Sequence, residues 1–157
     1  MMNYRKADMK DISLLVSIRK RQLIDEGIEP NIDIDKELTR YFNNKLANNL
    51  LVEWIAEENN QIIATAAIAF IDFPPTYTNK TGRKGYITNM YTEPTSRGNG
   101  IATGMLDRLV NEAKERNIHK ICLVASKLGR PVYKKYGFQD TDEWLELNLL
   151  EHHHHHH

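Results

Sequence analysis

The sequence predicts an α/β protein of one domain, in which a mixed, mostly antiparallel central sheet of about six to seven strands carries helices on both faces. Three observations lead there. Residues 50–73, "LLVEWIAEENNQIIATAAIAFIDF", hold two apolar runs around the polar "EENN", the pattern of a β-hairpin. Residues 86–125 read as strand, glycine turn, helix and strand, a crossover unit that sets its two strands parallel. Two amphipathic segments precede the hairpin and supply helices for the sheet to bury.

Residues 2–6 form a short first strand. "DMKDISLLVSIRKRQLIDEG" then places Ile12, Leu15, Val16, Ile18 and Leu23 near a helical period, with Asp8 or Asp11 as cap and Gly27 as stop. A second helix follows Asp33 or Asp35, with Leu38, Tyr41, Phe42 and Leu46 on its inner face. The hairpin strands lie near 51–57 and 61–71. "DFPPTYTNKTGRKG" is a long loop, and loops of that length are functional or mobile. "YITNMYTE" is a strand ended by Pro94. Ile101, Met105, Leu106, Leu109, Val110 and Ala113 recur at helical spacing, with Asn117 suited to a left-handed stop. "KICLVAS" is a short strand, "GRPVYKKYGF" a brief helix ending at Gly137, and the alternation in "WLELNL", residues 144–149, a last strand.

Composition narrows the function classes. The end, "LEHHHHHH", reads as a vector-derived Leu-Glu and six-histidine tag over 150–157, leaving 1–149 as the single domain. Six of the seven histidines belong to that tag, so a histidine-rich metal site reduces to His119 alone. Without Glu151, 21 basic residues face 20 acidic ones, a balance that implies neither nucleic acid nor a charged membrane as partner. No apolar run approaches a membrane span, and "MMNYRKADMKD" has no signal-peptide core, which suits a cytoplasmic protein. A single cysteine, Cys122, excludes an internal disulfide and multi-cysteine zinc patterns; inside an apolar strand it reads as a small buried hydrophobe.

The chemistry concentrates in "YTEPTSRGNGIATGMLDRL", residues 91–109. A glycine turn that opens a helix is a general anion site, because the first helical N–H groups lack partners and the dipole is positive there. Gly98 and Gly100 leave that backbone bare, so residues 97–102 read as a phosphate or pyrophosphate cradle. The turn lacks the Gly-Lys-Ser/Thr ending of a P-loop. It also misses the dinucleotide spacing, since Gly104 falls one place late and no acidic residue stands in "HKICLVAS". A dinucleotide-dependent oxidoreductase is disfavoured accordingly.

The pattern that fits is Gln/Arg-x-x-Gly-x-Gly/Ala, satisfied by Arg97, Gly100 and Ala102. Together with "YITNMYTEPTSRGNGIATGML" and the later "VYKKYGF", it resembles the GNAT superfamily of acyl-CoA-dependent N-acetyltransferases. The resemblance implies that family's fold, with its fourth and fifth strands splayed, and transfer of an acetyl group from acetyl-CoA to a primary amine in a ternary complex.

The resemblance also implies roles for single residues. The amides of Arg97, Gly98, Asn99, Gly100, Ile101 and Ala102 hold the CoA pyrophosphate, and Arg97 adds a cation. The backbone of Met90, Tyr91 and Thr92 pairs with the pantetheine arm. Tyr133 is the general acid toward the departing thiolate. Ser126 stands where the family often has asparagine and bonds the pantetheine or the phosphates, with Lys127 and Arg130 beside it. The fourth strand has no internal acid, so the base acts through water: Glu93 is the candidate, with Asp72, Thr88 and Asn89 as alternatives. The missing internal acid motivates a second reading, a non-catalytic acyl-CoA-binding sensor. The acceptor is a small-molecule or peptide amine; homodimers are common in the family. The acidic set from Asp25 to Glu37 reads as a solvated linker or as acceptor lining.

Overall fold

The computed structural model of the protein describes residues 2–152. Its elements are β1 (Met2–Lys6), α1 (Ile12–Asp25), α2 (Asp35–Ala47), β2 (Leu51–Glu58), β3 (Gln61–Asp72), β4 (Arg83–Thr92), α3 (Ile101–Glu115), β5 (Ile121–Leu123), α4 (Arg130–Tyr136) and a single turn, α5 (Leu149–His152). No helix among the described residues is long and apolar enough to cross a membrane.

One sheet runs β1-β2-β3-β4-β5, antiparallel except for the β4–β5 pair. The β2–β3 hairpin turns on Asn59 and Asn60, both at positive φ, as a two-residue turn matching strand twist requires. Side chains of the strands alternate between two cores. Val52, Ile68, Ile87 and Phe70 pack with Met105, Leu106 and Leu109 of α3 on one face. Leu51, Ile55, Ala67 and Ala69 pack with Leu15, Val16 and Phe42 of α1 and α2 on the other. Helices therefore cover both faces, as the sequence predicts.

The strand count differs from the expected six to seven: the described sheet has five. The segment 144–149 is not a strand: it joins no sheet among the described residues, and its last residue, Leu149, begins α5. β5 is also shorter than "KICLVAS" suggests. The chain leaves the sheet after Leu123, and the Ser126 hydroxyl accepts the Gly129 N–H at 3.1 Å as the turn into α4 begins.

Two features set β4 apart from the other strands. Opposite β3, Thr88 faces Ala67 and Tyr91 faces Thr65, so Asn89 and Met90 stand against the single Ala66 and β4 carries a β-bulge. Opposite β5, pairing covers only Gly85–Ile87 with Ile121–Leu123. From Thr88 onward the two strands part.

Candidate active site

Where β4 and β5 part, the body opens into a cleft of about 1110 Å³, large enough for an extended cofactor. Met90, Tyr91 and Thr92 form one wall. The turn before α3 forms a second, through Arg97, Gly98, Gly100, Ile101 and Ala102. Ser126 and Tyr133 close the third, and the end of α1 contributes Gln22, Asp25 and Glu26. Most of the sequence-predicted positions thus share one space. Asn99, Glu93 and Arg130 lie outside its lining.

The turn into α3 suits an anion on its own geometry. Gly100 is the N-cap, at φ 77°, and offers no side chain to the free amides. The first helical bond runs from the Gly104 N–H to the Gly100 carbonyl at 3.1 Å, so the amides of Ile101, Ala102 and Thr103 precede it. Gly98 is also left-handed, at φ 83°, and a Cβ built on either glycine meets nothing within 4 Å. Above these N–H groups lies open space that no side chain fills. The Asn99 amide holds the turn from outside by donating to the Ser96 carbonyl at 3.2 Å.

Arg97 is already engaged. Its Nε donates to the Thr92 carbonyl at 3.0 Å, and its terminal nitrogen pairs with Asp25 at 3.4 Å. Lys127 and Lys135 line the cleft as further cations. Arg130 pairs with Asp140.

Tyr133 stands on α4 with its ring edge-on to Phe138 at 5.9 Å and is 8 % exposed. Burial, reinforced by the negative charge of Glu26, pushes its phenol up to about 12, so it is fully protonated at neutral pH. Tyr136 donates to Asp107 at 2.7 Å and ties α4 to α3. Glu93, past the end of β4, accepts from Arg21 at 2.7 Å on one oxygen and from the Tyr91 hydroxyl at 3.5 Å on the other. Asp72, another expected candidate, forms a two-point pair with Arg83 on the exposed end of β3.

Sequence reasoning did not single out Glu53. It lies on β2 with 2 % exposure, and its Oε1 accepts from the Asn89 side-chain amide at 3.2 Å. The Asn89 carbonyl accepts from Thr65 Oγ1 at 3.1 Å. Asn89 is left-handed, at φ 55°, so these two buried bonds hold the residue that makes the bulge. Burial pushes the Glu53 carboxyl up to about 8, against the smaller opposing effects of the Asn89 bond and the Arg19 charge. The available signal was a lone acid in the apolar run "LLVEWIA", in phase with Leu51 and Ile55.

The sequence matches the model of the acetyltransferase (GNAT) family over residues 18–138. No curated protein matches it. Among solved structures, a GCN5-related N-acetyltransferase from Ralstonia eutropha JMP134 superposes with a TM-score of 0.83 at 24% identity, over 94% of this chain and 99% of that one. Glucosamine-6-phosphate N-acetyltransferase from Arabidopsis thaliana gives 0.71 at 18% identity, over 95% and 99%. An aminoglycoside N-acetyltransferase in complex with CoA gives 0.75 at 15%, over 94% of each chain.

Glu53 gives stability a defined pH dependence. An acid whose folded value of about 8 lies above its ordinary 4.5 binds its proton more tightly when folded; the associated stability is complete below about 4.5 and is lost as pH rises through 8. Asp11, Asp72 and Asp140 are held below their usual value, chiefly by Arg5, Arg83 and Lys134, and act at more acid pH. The melting temperature should therefore fall between pH 5 and 8 in the native protein. It should fall less in Glu53→Gln, opening a gap on the order of 5 °C or more by pH 8 in scanning fluorimetry.

Proposed function

The chain belongs to the GNAT acetyltransferase family, and from that premise we propose that it transfers the acetyl group of acetyl-CoA to a primary amine by direct attack in a ternary complex. The observation that carries this reading is the parting of β4 from β5 beside an uncapped glycine turn, with Tyr133 in the same cleft. Acetyl-CoA would supply the activated thioester. The residues present fit its shape: bare amides over open space for the pyrophosphate, and a length of β4 unpaired on its β5 side for the amide-bearing pantetheine arm.

In the proposed reaction the amine nitrogen attacks the acetyl carbonyl carbon, the carbonyl electrons move to oxygen, and their return expels sulfur. A backbone N–H at Met90 or Tyr91, redirected by the bulge, stabilises the oxyanion by about 3 kcal/mol. Tyr133 serves the departing sulfur. A phenol near 12 does not give its proton outright to a thiolate whose conjugate acid is near 8.5 in water, so its role is a strong hydrogen bond that grows as charge develops. Asp25 and Glu26 put negative charge on the lining of the cleft, which favours a cationic amine approaching from α1. The amine's proton leaves through water to a carboxylate, with Glu93 as the assigned acceptor. Two of the structural neighbours act on glucosamine 6-phosphate and on aminoglycosides; amino sugars are therefore the first acceptors to screen.

A second reading, an acyl-CoA-binding module without transfer activity, is favoured by one observation: both oxygens of Glu93 are already engaged. Amine-dependent release of CoA thiol across a broad amine panel separates the two. Robust release supports the transferase, and acetyl-CoA binding with no release supports the module.

Three variants probe the roles. Tyr133→Phe should lower kcat by about 10²-fold or more while leaving acetyl-CoA affinity within a few-fold. Gly100→Ala introduces a Cβ at φ 77°, which costs roughly 1–2 kcal/mol and thrusts a methyl into the open cradle. Calorimetry should show acetyl-CoA binding weakened by about tenfold or more, with only a modest fall in melting temperature. Glu93→Gln should depress the rate at neutral pH and recover it as pH approaches the amine's own value near 10; an unchanged profile would remove Glu93 as the base.

A further inference from the structure

α1 brings into the cleft one polar side chain that the proposed reaction leaves unused. Gln22 lines the cleft and is only 8 % exposed. Its Oε1 accepts from Arg19 Nη1 at 3.0 Å, across one turn of the same helix face. A guanidinium carries donors only, so the atom it meets must be the amide oxygen, and that fixes which way the amide lies. Nε2 is therefore turned away from Arg19 with two N–H donors, and no acceptor among the described residues takes them. A nearly buried donor left unpaired is costly, and native structures seldom carry one without a use for it.

The neighbours of Gln22 decide which substrate meets it. Asp25 and Glu26 follow it by three and four positions, and the Glu26 N–H donates to the Gln22 carbonyl at 3.0 Å, so the helical turn carries through and the three residues share a face. Glu26 stands near enough to Tyr133 for its charge to raise the phenol, so this face of α1 looks onto the reacting end of the cleft. The phosphates of the cofactor have their amides at the start of α3, and two carboxylates repel an anion at α1. The pantetheine arm has the unpaired side of β4. What remains for α1 is the acceptor, whose ammonium suits the two carboxylates. Those carboxylates also disfavour a carboxylate on the acceptor, so the oxygen that meets Gln22 is a neutral one.

We infer that Gln22 selects the acceptor by donating from Nε2 to a neutral oxygen carried beside the amine, so that the preferred substrates are amino alcohols with a hydroxyl on the carbon next to the one bearing nitrogen. The inference rests on the transferase reading and names which amines that site takes. Arg19 is a positioning residue: by holding Oε1 it keeps the donor end of the amide, and not the carbonyl end, turned to the substrate. A plain amine of the same size leaves Nε2 unpaired, and a site built to bond a substrate oxygen discriminates against the analogue that lacks it.

The test pairs 2-aminocyclohexanol with cyclohexylamine, two amines that differ by one hydroxyl. Each is measured as kcat/KM with acetyl-CoA and as Kd by calorimetry in the presence of CoA. The native protein should favour the amino alcohol by about fivefold or more on both scales. Gln22→Met, which nearly keeps the volume, should bring the preference to about twofold or less, with acetyl-CoA affinity and melting temperature close to native. Arg19→Met should lower it by a smaller factor, because the amide can then turn over. The two amines differ in their own basicity equally for every variant, so the change in their ratio carries the result. A native protein that binds both equally, or binds neither, overturns the inference, as does a preference that survives Gln22→Met. A parallel loss of acetyl-CoA affinity gives Nε2 to the cofactor and overturns it as well. Should Gln22→Met fail to fold, the response of the native preference to Arg19→Met decides: an unchanged ratio overturns it. A preference seen in Kd without any turnover removes the transferase reading and leaves the selection by Gln22 standing.

Discussion

Everything in the cleft depends on one left-handed residue. Asn89 turns β4 out of regular pairing, and asparagine is the residue after glycine that tolerates this conformation best. The penalty is small but persistent, and a bulge in mid-sheet would relax unless held. Two buried hydrogen bonds hold it: Thr65 donates to the Asn89 carbonyl from β3, and Glu53 receives the side-chain amide from β2. Both partners lie inside the sheet, where a lost bond leaves an unsatisfied group at a cost of about 1–3 kcal/mol. Three adjacent strands are thus committed to the direction of a few peptide groups. Those groups belong to Met90 and Tyr91, which form the cleft wall beyond the last β4–β5 pairing.

The charges of the cleft sort by the same geometry. The α3 N-terminus presents free amides with no competing side chain, and Lys127 and Lys135 line the same cleft. The C-terminal end of α1 adds Asp25 and Glu26 to the same lining. One space therefore offers free amides and lysines to an anion and carboxylates to a cation, with the neutral Tyr133 in the same lining. The Arg97–Asp25 pair joins the two halves in the free protein. At 3.4 Å and partly exposed, it is a weak contact that a phosphate could replace for little cost.

Local chemistry made some of this legible in the sequence and nonlocal packing hid the rest. Gly98, Gly100 and the apolar rhythm after them form a signal within a dozen residues, because turn conformation and helix start are local properties. Tyr133 was legible through its neighbours in "VYKKYGF". Glu53 was not, since its meaning comes from Asn89, which lies 36 positions away and meets it only after β2, β3 and β4 align. The bulge itself was invisible for the same reason: "ITNMYT" reads as part of one strand, and the extra residue appears only against Ala66. "WLELNL" shows the converse. Its alternation reads as a strand, yet the segment joins no sheet among the described residues: period specifies a face and never a partner.

That distinction bears on how the cleft keeps its width. The β4–β5 pairing is three residues long and stops where the cleft begins. Beyond Leu123 the chain must still present Ser126 and, one short helix later, Tyr133 at fixed positions across from Met90 and Tyr91. That wall rests on the Ser126–Gly129 bond, the Tyr136–Asp107 bond and the packing of Tyr133 on Phe138. None of the three braces the strand itself. A three-residue edge strand bonded on one side is among the least protected parts of any sheet.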